Sequence, residues 1–169
     1  MAERRIEHRF NCTVDTYWNK LFFDDEYNRG LFLETLHFEE YEVLSLEDTE
    51  SEIRRVIRAI PKVGDVPGPL KKLLKNGAGY TERGVYEKGR GRYVVNVTPN
   101  SLPDKLTIKG VTKTEALEGG HCMRIYDATV IANIFGVGGM LEKRLLDDIS
   151  KSYEKAAQFT NRWVAERGL

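Results

Sequence analysis

Residues 131–149 read IANIFGVGGMLEKRLLDDI, and this stretch constrains the fold more than any other. An apolar, strand-like run stops at a glycine cluster, and a helical pattern follows almost to the C-terminus. Leu141, Leu145, Ile149, Tyr153, Ala156 or Ala157, Thr160 and Val164 form one stripe. Glu142, Lys143, Asp147, Lys151, Lys155 and Arg162 form the opposite face. The spacing predicts an amphipathic helix of about seven turns, roughly 37 Å long. A helix with a single apolar stripe must bury it against another element.

The rest of the chain supplies a sheet for that purpose. Ile6, His8, Phe10 and Cys12 alternate with polar residues, as in a half-buried strand. Thr13 then suits an N-cap, and Val14, Tyr17, Trp18 and Leu21 fall at helical spacing. Residues 24–36 read as a second short helix, weakened by Gly30. Strand-like runs follow, turned at Asp48-Thr49-Glu50, at EKGRG with Gly89 and Gly91, and at EGG. Short turns between about seven strands predict a largely antiparallel sheet. Residues 62–79 are rich in Gly and Pro and read as a loop with one or two helical turns in PLKKLLK. The order is β-α-α-β6-α in one domain over residues 1–169, an α+β fold. A twisted, curled sheet under a straight helix touches it at some points and leaves space elsewhere.

Composition narrows the function. With 26 basic and 26 acidic residues the net charge is zero, which argues against a general nucleic-acid binder. Cys12 and Cys122 fit no zinc motif and no disulfide framework, and read as small buried residues in a reducing compartment. The N-terminus lacks the apolar core of a signal peptide, and no run approaches the ~20 apolar residues of a membrane span. A soluble, cytoplasmic protein is expected.

No catalytic motif appears. His8, His37 and His121 lie far apart in sequence, with His8 directed inward from the first strand. HExxH, GxSxG and P-loop patterns are absent, and GVGG lacks the spacing of a dinucleotide site. Asp24-Asp25 and Asp147-Asp148 read as solvated or helix-start charges, because neighbours on a helix point about 100° apart. No metal and no cofactor are expected. Arg58, Tyr93, Asn96, Arg124, Tyr126 and Asp127 are the polar strand residues that could face inward. Strand parity leaves only half of them inside, and both faces of the last strand are partly apolar. An inward arginine would suit a ligand carboxylate or phosphate.

Three stretches carry a resemblance: IEHRFNCTVDTYWNKLF, the Val66-Pro67 pair before a lysine-rich turn, and VIANIFGVGGMLEKRLLDDI. They resemble the START-like superfamily, also called SRPBCC or Bet v 1-like, with its helix-grip fold. Within it the chain is similar to the bacterial DUF2505 group, of unknown function, and more distantly to sterol-binding VASt domains. An Ile-Phe pair stands where the family pattern has a proline before the glycine loop. The resemblance implies an apolar ligand, lipid or sterol-like, between a curved antiparallel sheet and the C-terminal helix. Some relatives are cyclases, aromatases or hydratases.

The expected lining is Arg58, Tyr93, Val95, Arg124, Tyr126, Phe135, Leu145, Ile149 and Tyr153. The expected gate is Val66, Pro67, Leu70, Leu73 and Leu74 with Gly136, Gly138 and Gly139. Leu70, Leu73 and Leu74 among Lys71, Lys72 and Lys75 form either a lid with transient membrane-surface contact or a cap on the core. A monomer or weak homodimer is expected, a carrier rather than an enzyme. The alternatives are a cyclase or hydratase in the same cavity and a protein-interaction module with a filled core. Polar groups within hydrogen-bond reach in the pocket favour the enzyme. A single anchoring group favours the carrier, and a pocket below ~300 Å³ favours the module.

Overall fold

The computed structural model describes residues 1–64, 68–74 and 76–169. The alternation at the N-terminus becomes β1 (Ala2–Phe10), with Ile6 and Phe10 buried. α1 follows as an α-turn (Val14–Thr16) continued by a π-helix (Tyr17–Phe22). Thr13 is its N-cap: the side-chain oxygen accepts from the Thr16 amide. α2 starts at the Asp24 cap, runs Asp25–Arg29, and widens to π geometry over Gly30–Thr35. The weak point predicted at Gly30 is where the helix changes type. A side chain there would meet the Phe159 ring at 3.1 Å.

The remaining strands are β2 (Glu40–Asp48), β3 (Glu52–Ile60), β4 (Tyr80–Glu87), β5 (Arg92–Pro99), β6 (Leu106–Leu117) and β7 (His121–Ala132). The one-turn helix α3 (Gly68–Lys71) interrupts them. Every pairing is antiparallel, and the seven-stranded sheet has the order β1-β7-β6-β5-β4-β3-β2. Of the two glycines expected to relieve the β4–β5 turn, Gly91 adopts positive φ (58°). A long helix, α4 (Gly138–Arg167), closes the chain. At 30 residues it spans about 45 Å, longer than the apolar stripe alone implied.

The break before α4 has a physical cause. Gly136 has φ +80°, and a side chain on Gly138 would strike the Ala132 carbonyl oxygen at 2.4 Å. The helix start is pressed against the end of β7 at a distance only glycine tolerates. Glu142 belongs to this contact, not to the solvent face where the stripe placed it. It is buried and accepts from the Ala132 amide at 2.9 Å. That amide holds its carboxyl below the usual range.

Along α4 the apolar stripe divides. Leu141, Leu146, Ala156, Ala157, Phe159, Thr160 and Val164 are buried, whereas Leu145, Ile149 and Tyr153 are half-buried. The helix packs chiefly on β1, β7 and the π-segment of α2. Thr160 is bonded to the Tyr27 hydroxyl at 2.7 Å.

A furrow of small residues crosses the concave face of the sheet. Gly84, Val95, Gly110 and Ala128 are cross-strand neighbours on β4, β5, β6 and β7. The Tyr93 ring lies flat over Gly84, and the Tyr126 ring over Gly110. A Cβ would come within 1.8 Å of the first and 2.2 Å of the second. Tyr126 stacks on Tyr153 of α4 at 4.3 Å between centroids. Trp18 stacks on Tyr86 at 4.3 Å and donates to Thr114 at 2.9 Å. The concave face is therefore tiled with aromatic rings that need bare backbone beneath them.

Two predictions follow from this packing. Gly84→Ala should lower folding stability by about 1–3 kcal/mol through overpacking, measured by denaturant unfolding. Gly139→Ala, with open space around it, should not lower it. Burial also raises the phenols of Tyr17, Tyr80, Tyr93, Tyr126 and Tyr153 above their ordinary range, and that of Tyr41 to about 12. The folded state then holds these protons more tightly than the unfolded state. Their contribution to stability is whole below pH ~10 and declines as pH rises further. Tyrosinate absorbance should appear together with loss of circular dichroism, not before it.

Candidate functional site

β3 and β4 bring a cation, a carboxylate and a phenol together on the concave face. In β3, Ile53, Arg55, Ile57 and Ala59 are buried while Arg54 and Arg58 are exposed. Arg58 therefore points outward, where it pairs with Glu42 at 2.8 Å, and it is Arg55 that lies inside. In β4, Tyr80, Glu82, Gly84 and Tyr86 share the inward side. Tyr93 reaches across Gly84 to Glu82.

The three groups interact directly. The Tyr93 hydroxyl donates to Glu82 Oε1 at 2.9 Å, and the Arg55 guanidinium lies 3.6 Å from the same oxygen. Arg55 also donates to the Phe22 carbonyl at 2.8 Å. Its guanidinium sits over the rings of Phe22, Phe23 and Tyr93, at 4.8, 5.3 and 5.4 Å from their centroids. Burial opposes its charge, but the oxygens of Tyr93 and Glu82 outweigh that and hold it protonated. Its Nε has neither a partner nor accessible surface. The Arg55 side chain is 6% exposed and that of Glu82 17%. Of the pair, the carboxylate is the more open.

A second polar group ties α4 to the sheet. Arg124 on β7 donates to His8 Nδ1 at 2.9 Å and to the Tyr153 carbonyl at 3.1 Å. An arginine only donates, so the His8 proton is on Nε2, which faces Glu154 at 2.9 Å. This hydrogen bond holds the Glu154 carboxyl below its usual range. The Arg124 guanidinium lies between the rings of Phe10 and Tyr153, at 4.8 and 4.5 Å. A third arginine, Arg4 on β1, donates to the Leu146 carbonyl, Asp147 and Ser150 of α4.

The residues singled out from the sequence divide accordingly. Tyr93, Val95, Arg124 and Tyr126 are buried on the concave face, and Leu145, Ile149 and Tyr153 meet it from α4. Arg58 and Phe135 do not: Phe135 is fully exposed in the turn before α4. Asn96 is exposed, and Asp127 pairs outward with Arg5 at 3.0 Å and Lys113 at 3.6 Å. Leu70 is buried, Leu73 and Leu74 are half-buried, and Lys71 and Lys72 are exposed. Val66 and Pro67 fall outside the described residues, as does Lys75. Cys12 and Cys122 are both buried and free.

Sequence reasoning missed Arg55 and Glu82. The alternation of Tyr80, Glu82, Gly84 and Tyr86 carried a signal, because two aromatics flank a carboxylate and a glycine on one face. Among the described residues, no group of three His, Cys, Asp or Glu side chains is arranged to hold a metal. No helix among them is long and apolar enough to cross a membrane.

Comparisons with solved structures agree with this architecture. The protein TTHA0849 from Thermus thermophilus superposes with a TM-score of 0.69 at 15% identity, over 99% of this chain and 100% of that one. The Zhui aromatase/cyclase from a Streptomyces species gives 0.67 at 11% identity, over 99% and 97%. Norcoclaurine synthase from Thalictrum flavum gives 0.62 at 12% identity, over 98% and 88%. At such identities the likeness establishes the helix-grip fold. A comparison of the sequence with curated proteins finds no match. The family model described as "Protein of unknown function (DUF2505)" matches residues 5–164, nearly the whole chain. The chain belongs to the DUF2505 family.

Proposed function

We propose that this protein binds an apolar small molecule, lipid or sterol-like, in a hollow between the concave face of the sheet and the first half of α4. One observation carries the reading. Val97, Ile108, Leu145, Ile149 and Tyr153 are directed into the fold yet stay only half-buried, as do Tyr80 and Glu82. Inward apolar side chains that keep accessible surface line unfilled space, since a closed core would bury them. An apolar ligand there would gain ~25 cal/mol per Å² of surface removed from water. The seam between α3 and the turn holding Gly136 is the expected mouth, with Leu70 and Leu73 on one rim. Contact of Lys71 and Lys72 with an anionic membrane surface belongs to the same proposal, as does a cytoplasmic location.

A second reading has an observation in its favour. Tyr93 and Glu82 are polar groups within hydrogen-bond reach on the concave face, the arrangement an acid–base enzyme needs. Two of the structural relatives are described as an aromatase/cyclase and a synthase. Binding is nonetheless the better supported function. The Tyr93 phenol is already committed to Glu82, and its proton is held far too tightly by burial for it to act as a base near neutrality. Arg55 is sealed. That leaves Glu82 as one anchoring group, which suits orientation more than proton shuttling.

Native mass spectrometry of freshly purified protein, followed by organic extraction, should find a stoichiometric apolar adduct. Val97→Phe and Ile108→Phe, which fill the hollow, should each abolish the adduct. Both variants should remain folded, with unfolding showing a loss of no more than about 1–3 kcal/mol. Retention of the adduct in both variants would place the ligand elsewhere. Its absence in the wild type, with no uptake from a panel of fluorescent lipids, would count against binding.

A further inference from the structure

We infer that the molecule held in the hollow presents an uncharged hydroxyl to Glu82, and that carboxylate-headed molecules such as fatty acids are excluded. This rests on the hollow proposed above and names the chemistry of its ligand. Three inward arginines stand among the described residues where the sequence suggested an anchor for an acid, and the two that are buried, Arg55 and Arg124, are already enclosed.

Arg4 is bonded to α4 through Nη1, which reaches the Leu146 carbonyl, Asp147 and Ser150. Arg124 is held by His8 and the Tyr153 carbonyl and lies between two rings. Arg55 is held by the Phe22 carbonyl and Glu82 and covered by three rings. The Nε atoms of Arg55 and Arg124 lack partners, but they have no accessible surface, so a ligand cannot reach them. Arg55 and Arg124, both buried, thus hold the protein together and offer no open fork to a carboxylate, and the more open Arg4 stands on the edge strand β1, four strands from Glu82 on β4.

Glu82 is placed differently. Its neighbours along the inward row are Ile57, Val97 and Ile108, all apolar. Both of its recorded contacts, from Tyr93 and Arg55, fall on Oε1. The side chain retains 17% exposure. An ionised carboxylate only accepts hydrogen bonds, so its complement is a donor. A ligand carboxylate beside it would bring two like charges together in a poorly hydrated site. An ammonium would add a second cation close to Arg55, which already balances Glu82. A hydroxyl donates without adding charge.

Isothermal titration of the full-length protein with 1-decanol and with decanoate separates the possibilities, since the two probes share a chain and differ in head group. Decanol should bind at least about tenfold tighter than decanoate, the scale on which a mismatched polar group is rejected. Glu82→Gln, which keeps the shape, removes the charge and adds an amide donor, should shrink that ratio to about threefold or less. Equal or tighter binding of decanoate by the wild type would overturn the inference and leave the hollow intact. So would a ratio unchanged in Glu82→Gln. Binding of neither probe would overturn the hollow and this inference together. The wild-type ratio does not depend on the variant folding.

Discussion

The start of α4 is held against the end of β7 by two contacts one turn apart. Gly138 lies against the Ala132 carbonyl, and Glu142 accepts from the Ala132 amide. A rigid helix fixed at one end has its direction set there. Small residues then seat its far half: Ala156, Ala157 and Thr160 let the backbone come close to β1 and α2. Leu145, Ile149 and Tyr153 fall between these anchorages and remain half-buried.

The aromatic tiling and the interior arginines follow from the same geometry. A sheet that is to stay concave needs thin places, and Gly84 and Gly110 provide them. Tyr93 and Tyr126 fold over the bare backbone there. Tyr93 then offers its face to Arg55, and Tyr153, stacked on Tyr126, offers its face to Arg124. Each guanidinium obtains a cation–π environment together with a backbone carbonyl. Aromatic faces and carbonyl oxygens thus take the place of water around two buried charges. The cost is an orphaned Nε on each.

Reactivity is limited by this arrangement. The buried phenols hold their protons tightly, and the arginines are enclosed by rings and carbonyls. In the Arg55–Glu82–Tyr93 cluster, Glu82 combines an inward position with residual exposure. Its contacts with Tyr93 and Arg55 keep it in place without covering it. A carboxylate held in this way is the feature on which the proposed preference for a hydroxyl-bearing apolar ligand rests.

The sequence by itself determined the architecture. The 3.6-residue stripe from Leu141 to Val164, the period of two around Ile6 and Phe10, and the short Gly-containing turns are local signals. Each is written within a few residues of where it acts. The glycine break before the helix was legible for the same reason, though the contact demanding it, Gly138 on the Ala132 carbonyl, was not. Which side of a strand faces the helix was left to the tertiary structure. In β3, Ile53 and Ile57 alternate with Val56 and Ile60, so both faces are partly apolar and parity alone does not separate Arg55 from Arg58. Only the cross-strand register, which pairs Arg55 with Gly84 and Gly84 with Val95, decides it. The exposure of Phe135 and the burial of Glu142 are likewise consequences of where the helix lands. That position is fixed by contacts between residues far apart in the chain, and no local pattern encodes it.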